Sequence, residues 1–240
     1  MNIPLATAIF VVASALPNLA LAQSISKVNG RVEVAANQSI DDISTVNGTV
    51  NVGSNATVKG DVSVVNGTVT IDRGAKVGDV SAVNGAIRAG EQLQALEMST
   101  VNGGIEVGAG SLVKKDVTSV NGGILLHRGT RVSGDVTTVN GAIGLIATTV
   151  EGDVESVNGN MTVGLRSVVE GDVVYRAPKG ISISFRKVRI PVVIIGPHAQ
   201  VKGKLTFERD VRLYVHDTAK IGPVTGAKAI AFSGNKPDVN

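Results

Sequence analysis

The chain has 240 residues, a net charge of +3 and 43% hydrophobic residues, enough apolar surface for a sizeable core. Aromatic residues are only 2% and glycine reaches 29, so that core must be a narrow, regular one of Val, Ile, Leu and Ala, interrupted by many tight turns. With no cysteine in the sequence, disulfides, thiolate metal sites, cysteine nucleophiles and lipid attachment through an N-terminal cysteine are excluded.

In chain order, residues 1–22 have the pattern of a signal peptide. Ile3 to Leu21 is uncharged and apolar or small apart from Thr7, Ser14 and Asn18, and it ends in Ala20-Leu21-Ala22 before Gln23, a small-x-small cleavage site. Pro17 favours cleavage over the alternative of a retained anchor, which needs about 20 apolar residues. The mature chain is therefore expected to be exported, periplasmic or on the cell surface, with no transmembrane segment.

From residue 23 to 174 the sequence repeats. Val-Asn-Gly recurs at Val28, Val46, Val65, Val83, Val101, Val120, Val139 and Val157, always 18 or 19 residues apart. Four and six residues after each Val come apolar residues, such as Val50 and Val52 or Ile105 and Val107, with polar residues such as Asn51 and Glu106 between them. Period two marks a strand with one buried face. A second short strand is anchored by Val58, Val77, Val113, Val132, Val150 and Val169, and a third begins at Asp-Val pairs such as Asp61-Val62 and Asp153-Val154. Three short strands in 18 or 19 residues make one triangular coil, and stacked coils bury a continuous core that no single coil could. The predicted fold is an all-β, single-stranded parallel β-helix of eight Val-Asn-Gly coils.

Stacking aligns Asn29, Asn47, Asn66, Asn84, Asn102, Asn121, Asn140 and Asn158 in one column, an asparagine ladder. Asn-Gly is the pair that best tolerates positive φ, so each pair is expected to form a left-handed corner. The same column read as an array for glycan, ice or metal is the functional alternative, but turn chemistry accounts for both residue types. Coil four departs from the pattern: Glu91 to Met98 lacks the glycines and the Gly-Asp-Val signature, which is read as drift within the solenoid, with a local bulge or a short helical turn as the alternatives.

The body and the end differ in charge. Gln23 to Val174 holds 11 basic and 16 acidic residues, net −5; Tyr175 to Asn240 holds 12 basic and 4 acidic, net +8. Residues 175–190 interrupt the repeat as a basic excursion. The candidate interaction surface is Arg176, Lys179, Arg186, Lys187, Arg189, Lys202, Lys204, Arg209 and Arg212, suited to an anionic envelope polymer or to the acidic body of another copy. Gly196 to Gly203 resembles Gly53 to Gly60, so residues 191–233 are expected to form one or two further coils capped by Phe207, Tyr214 and Phe232, followed by a disordered tail from 234 to 240.

No catalytic, metal, cofactor or nucleic-acid constellation is legible. His127, His198 and His216 occupy turn or strand positions without ligand spacing, although His198 and His216, 18 residues apart, could stack. The recurring Asp61, Asp79, Asp135, Asp153 and Asp172 would form an acidic column, better explained by hydrogen bonds to turn amides than by calcium.

The unit Val-Asn-Gly-x-Ile-x-Val-Gly-x-x-Ala-x-Val-x-Gly-Asp-Val resembles the bactofilin-like, polymer-forming β-helix proteins and the putative-adhesin β-solenoid domains of bacterial envelopes. The likeness covers about residues 24–174 and 192–225. It implies a right-handed helix, a structural role, self-association and no catalytic residues. A glycan-binding or carbohydrate-active β-helix is the alternative.

Overall fold

The computed structural model describes residues 23–178 and 190–239. The expected leader at 1–22 lies outside them, as do Lys179, Arg186, Lys187 and Arg189 of the basic excursion, and Asn240.

The described residues form a parallel β-solenoid of about ten turns, with no helix. Each turn runs along three faces, and most turns contribute one strand to each. The first face is an 11-stranded sheet that begins with Ile25–Asn29 and Ile43–Asn47 and ends with Val224–Thr225. The second is also 11-stranded, running from Val32–Val34 to Ala229–Phe232. The third comprises a seven-stranded sheet from Gln94–Ala95 to Lys220–Ile221 and the pair Ser39–Ile40 and Thr57–Val58, with bridges through Lys76 joining the two.

Register follows the repeat without slippage. Ile43 pairs with Val62, Val50 with Val69 and Asn47 with Asn66. A one-residue slip would turn every apolar side chain outward, so alternation of Val and polar residues fixes the pairing. Columns of inward Val, Ile, Leu and Met fill the triangle, among them Val62, Val80, Met98 and Val117. Coil four obeys the same rule. Leu93 and Ala95 are buried and Met98 pairs with Val80 and Val117, so the segment is a regular coil with neither a bulge nor a helical turn.

The turn between the second and third faces has one left-handed residue in every coil but the last. Asn37, Asn55, Gly74, Gln92, Gly110, Gly129, Ala147, Arg166 and His198 hold φ between 47° and 74°. Asn and Gly accept this readily; for the others it costs roughly 1–2 kcal/mol. Bonds to the next coil hold them there: the Gln92 and Arg166 amides donate to the carbonyls of Ala109 (2.8 Å) and Pro197 (3.0 Å).

After the excursion the solenoid resumes, with Val192–Ile195 pairing with Met161–Val163. The aromatics do not cap its end. Phe207 lies in an interior column above Tyr175, while Tyr214 aligns with Ile194 on the second face and Phe232 meets the His216 ring edge-on at 5.0 Å. The last coil instead exposes its inward positions: Ala229 and Ala231 are exposed, and Ile221 and Val224 are only partly covered. Residues 234–239 run back over the second face, with Pro237 buried, rather than trailing free. Pro237 and Val239 line an apolar cavity of about 640 Å³ with Leu165, Ile194 and Phe232.

Candidate functional site

The corner between the first and second faces carries the most repeated chemistry. The strand that begins at Asp-Val runs on through the next Val-Asn, as in Val62–Asn66, so every ladder asparagine but Asn121 ends a strand. None has positive φ, which corrects the expectation of a left-handed Asn corner; at the Val-Asn-Gly corners positive φ occurs only at glycines, at Gly30, Gly67 and Gly159. The glycines are needed chiefly because coils approach closely. A Cβ at Gly85 would overlap the Gly67 carbonyl oxygen, and one at Gly67 would overlap that of Gly48.

The ladder is continuous. Each Asn Nδ2 donates to the Oδ1 of the preceding coil, from Asn47 to Asn29 at 3.0 Å, through Asn102 to Asn84 at 2.8 Å, to Asn158 to Asn140 at 3.0 Å. Its last oxygen, Asn158 Oδ1, accepts from Arg209 Nη1 at 2.8 Å. Beneath it lies a row of buried hydroxyls that the sequence reading missed. Thr100, Ser119 and Thr138 donate to the carbonyls of Gly85, Gly103 and Gly122, each at 2.9 Å, and the Tyr175 hydroxyl donates to that of Gly159 at 2.6 Å. Burial raises the Tyr175 pKa above its ordinary value, partly offset by the charge of Arg209.

The aspartate column is equally structural. Asp42, Asp61, Asp116, Asp135 and Asp153 each accept, through Oδ1, the amide N–H of the aspartate one coil on, at 2.7–3.3 Å. Asp172 accepts that of Lys204 at 2.8 Å. The carboxylate lies over the glycine of the next Gly-Asp pair, which is why those residues occur together: a Cβ at Gly134 or Gly152 would overlap the carboxylate of Asp116 or Asp135. Coil four has Leu96-Glu97 here, and Asp79 Oδ1 is buried without a hydrogen bond, with Lys115 Nζ 3.9 Å away.

Among the described residues, the basic side chains of the candidate surface are not gathered into one patch. Arg176 pairs with Glu155 (2.5 Å) and Glu208 (3.6 Å), and the hydrogen bond and charge of Glu155 hold the Arg176 pKa above its ordinary value. On the third face Lys202 pairs with Glu170 at 2.6 Å. Arg209 caps the ladder, Arg212 begins the strand Arg212–His216, and Lys204 is exposed. The histidines are also dispersed. His127 Nε2 lies 2.9 Å from Glu106 Oε1. His198 and His216 do not share a column: the His198 amide donates to Thr218 Oγ1, and His216 Nδ1 is 2.9 Å from the same hydroxyl. Among the described residues, no group of three or more His, Asp or Glu could hold a metal.

Two surface hollows adjoin the corner. A groove of about 510 Å³ on the second face is floored by the small residues Ala86, Gly104, Gly123 and Ala142 and flanked by Arg88 and Glu106. The other, of about 770 Å³, lies where Ala177 and Pro178 overhang Val139, Val157 and Asn158. No protein-family model, curated protein or solved structure matches the chain.

Proposed function

We propose that this chain is a non-enzymatic, exported structural or scaffold protein of the bacterial cell envelope, polymer-forming or adhesin-like. The observation that carries the reading is the last described coil, where, among the described residues, Ala229, Ala231, Ile221 and Val224 present interior columns beside the edges of three faces. Such an edge is a template for another chain, and a solenoid that stays monomeric needs it covered. The repeated polar residues support a structural role, because their amides, carboxylates and hydroxyls are consumed in bonds between coils.

The test is assembly. The purified chain, followed by light scattering and negative-stain electron microscopy over a salt series, should form end-on oligomers or filaments. Ala231→Asp places a charge on the open end and should abolish them without unfolding the chain. A wild type that stays monomeric at every salt concentration refutes the reading. Glycan binding is the second reading, favoured by the groove flanked by Arg88 and Glu106, and retention on envelope polysaccharide that Arg88→Ala abolishes would establish it.

A further inference from the structure

The outward column of the second face changes character part-way along the solenoid. It reads Glu33, Asn51, Thr70, Arg88 and Glu106, then Leu125, Gly144, Thr162, Ile194, Tyr214 and Ile230. The adjoining turn changes with it. The residue before the left-handed one is Ser54, Arg73, Glu91, Ala109 and Arg128 in successive coils, but Ile146, Leu165 and Pro197 in the later ones. Leu165 is 49% exposed and Ile146 43%. These side chains face away from the core, so folding does not ask for apolar residues there, and contiguous exposed apolar surface marks a contact.

The strap 234–239 lies over this apolar end. Gly234, with φ of 86°, turns the chain back after Phe232, and the buried Pro237 seats it. Among the described residues, 235–239 make no hydrogen bond, so apolar contact alone keeps the strap in place. Between strap and face is the cavity of about 640 Å³, walled by Leu165, Ile194, Pro197, Phe232, Pro237 and Val239. Small-molecule sites of about 300–1,000 Å³ combine such an apolar lining with a few polar groups. The polar side chains here are Thr162, Asn235 and Lys236, and none of them has a hydrogen-bond or ion-pair partner among the described residues.

We propose that this cavity binds the hydrocarbon chain of a single anionic amphiphile of the fatty-acid kind, with its head group at Lys236. The lining is aliphatic except for the Phe232 ring, which suits a flexible alkyl chain. A peptide would need partners for its N–H and C=O groups, but the strands below, Met161–Val163 and Val192–Ile195, are already paired on both sides. Charge selects the head group. Lys236 and Arg166, the neighbour of Leu165, are exposed without an ion-pair partner among the described residues, and the chain from Tyr175 onward carries +8. Asp238, the strap's one carboxylate, does not line the cavity. A strap held without hydrogen bonds can lift to admit the alkyl chain and close over it. A roofed cavity of this size takes one such chain, so the occupant is a free amphiphile and not a bilayer surface. The site is independent of the end-on assembly proposed above.

The test is isothermal titration calorimetry of the full chain with decanoate below its micellar concentration, and the wild type should bind it. Leu165→Glu, at a half-exposed turn, should keep the wild-type melting temperature and weaken binding about tenfold or more, because it sets a charge in the apolar cavity. Lys236→Gln should weaken decanoate and leave decanol unchanged. Because the chain has no Trp, Val239→Trp places a single reporter in the strap; bromo-substituted decanoate should quench it and spare Val28→Trp at the far end. A wild type that does not bind decanoate overturns the proposal, as does a Leu165→Glu chain that binds as tightly as wild type. Equal weakening of both probes by Lys236→Gln, or equal quenching at positions 28 and 239, overturns it as well. A chain that floats with anionic phospholipid vesicles yet ignores free decanoate also refutes it and assigns the apolar end to a membrane surface. Ala231→Asp should abolish end-on assembly and keep decanoate binding, so the two readings fail separately; binding lost in that variant places the probe on the open end and overturns the site.

Discussion

Gly60 and Asp42 test whether the Gly-Asp pairs exist because a carboxylate sits over a glycine. Asp42 Oδ1 accepts the Asp61 amide at 3.1 Å and occupies the space that a Cβ on Gly60 would fill; beyond that side chain, the nearest atom to such a Cβ is the Asp41 carbonyl oxygen at 3.3 Å. Gly60 does not have positive φ, so Ala is conformationally acceptable there. In Gly60→Ala the exposed carboxylate can swing aside, and the loss is then its charge-assisted hydrogen bond, about 1.5 kcal/mol at the low end of such bonds. Asp42→Ala removes the same bond together with an exposed one from Ser24 Oγ, at about the same cost. The double variant should therefore lose about 1.5 kcal/mol, with a coupling of similar size, rather than the roughly 3 kcal/mol of independent effects. At about 2–4 °C per kcal/mol for a chain of this size, each variant melts about 3–6 °C below wild type. Urea unfolding followed by circular dichroism measures all four corners of the cycle. Additive losses, within about 0.5 kcal/mol, refute the account. Gly85→Ala is the contrasting case: its Cβ would overlap a backbone carbonyl, which no side-chain deletion can relieve.

Asn102→Ala removes two ladder bonds, to Asn84 and from Asn121, and should cost about 1 kcal/mol in urea unfolding; Asn29→Ala, at the ladder's first rung, removes one and should cost less. Tyr175 has a folded-state pKa raised by burial, so the stability it contributes is complete below about pH 10 and is lost as pH rises through the raised value. Alkaline unfolding monitored with absorbance near 295 nm should show that loss in wild type, and Tyr175→Phe should lack it. The Glu151 carboxyl is held below its ordinary range by hydrogen bonds from Arg131 and Ser133, so in Arg131→Ala its titration, followed by NMR, should move upward. Because this pair is exposed, the melting temperature should hardly change.

The fold was legible because the repeat is its own alignment. Val-Asn-Gly at 18 or 19 residues, followed by period-two apolar positions, dictates coil length, strand number and the buried face. Coil four stays in the solenoid despite its missing glycines, as sequence drift allows, because Leu93, Ala95 and Met98 preserve the apolar positions that determine the path. The terminal aromatics, by contrast, misled. A ring in the sequence carries no direction, and Phe207 turned inward into an existing column rather than across the end.

The sequence by itself determined the class of fold, the asparagine column and the distribution of charge, since these follow from periodicity and composition. Only the tertiary structure decided what each repeated residue is for. The glycines answer to carbonyls one coil away, the aspartates to amides one coil away, and the buried hydroxyls to glycine carbonyls at the neighbouring corner. It also turned the valine of every Val-Asn-Gly outward and left the last coil open. The physical reason is that in a solenoid each residue meets its partners about one coil away, across the stack, where only the register of the coils brings them into contact.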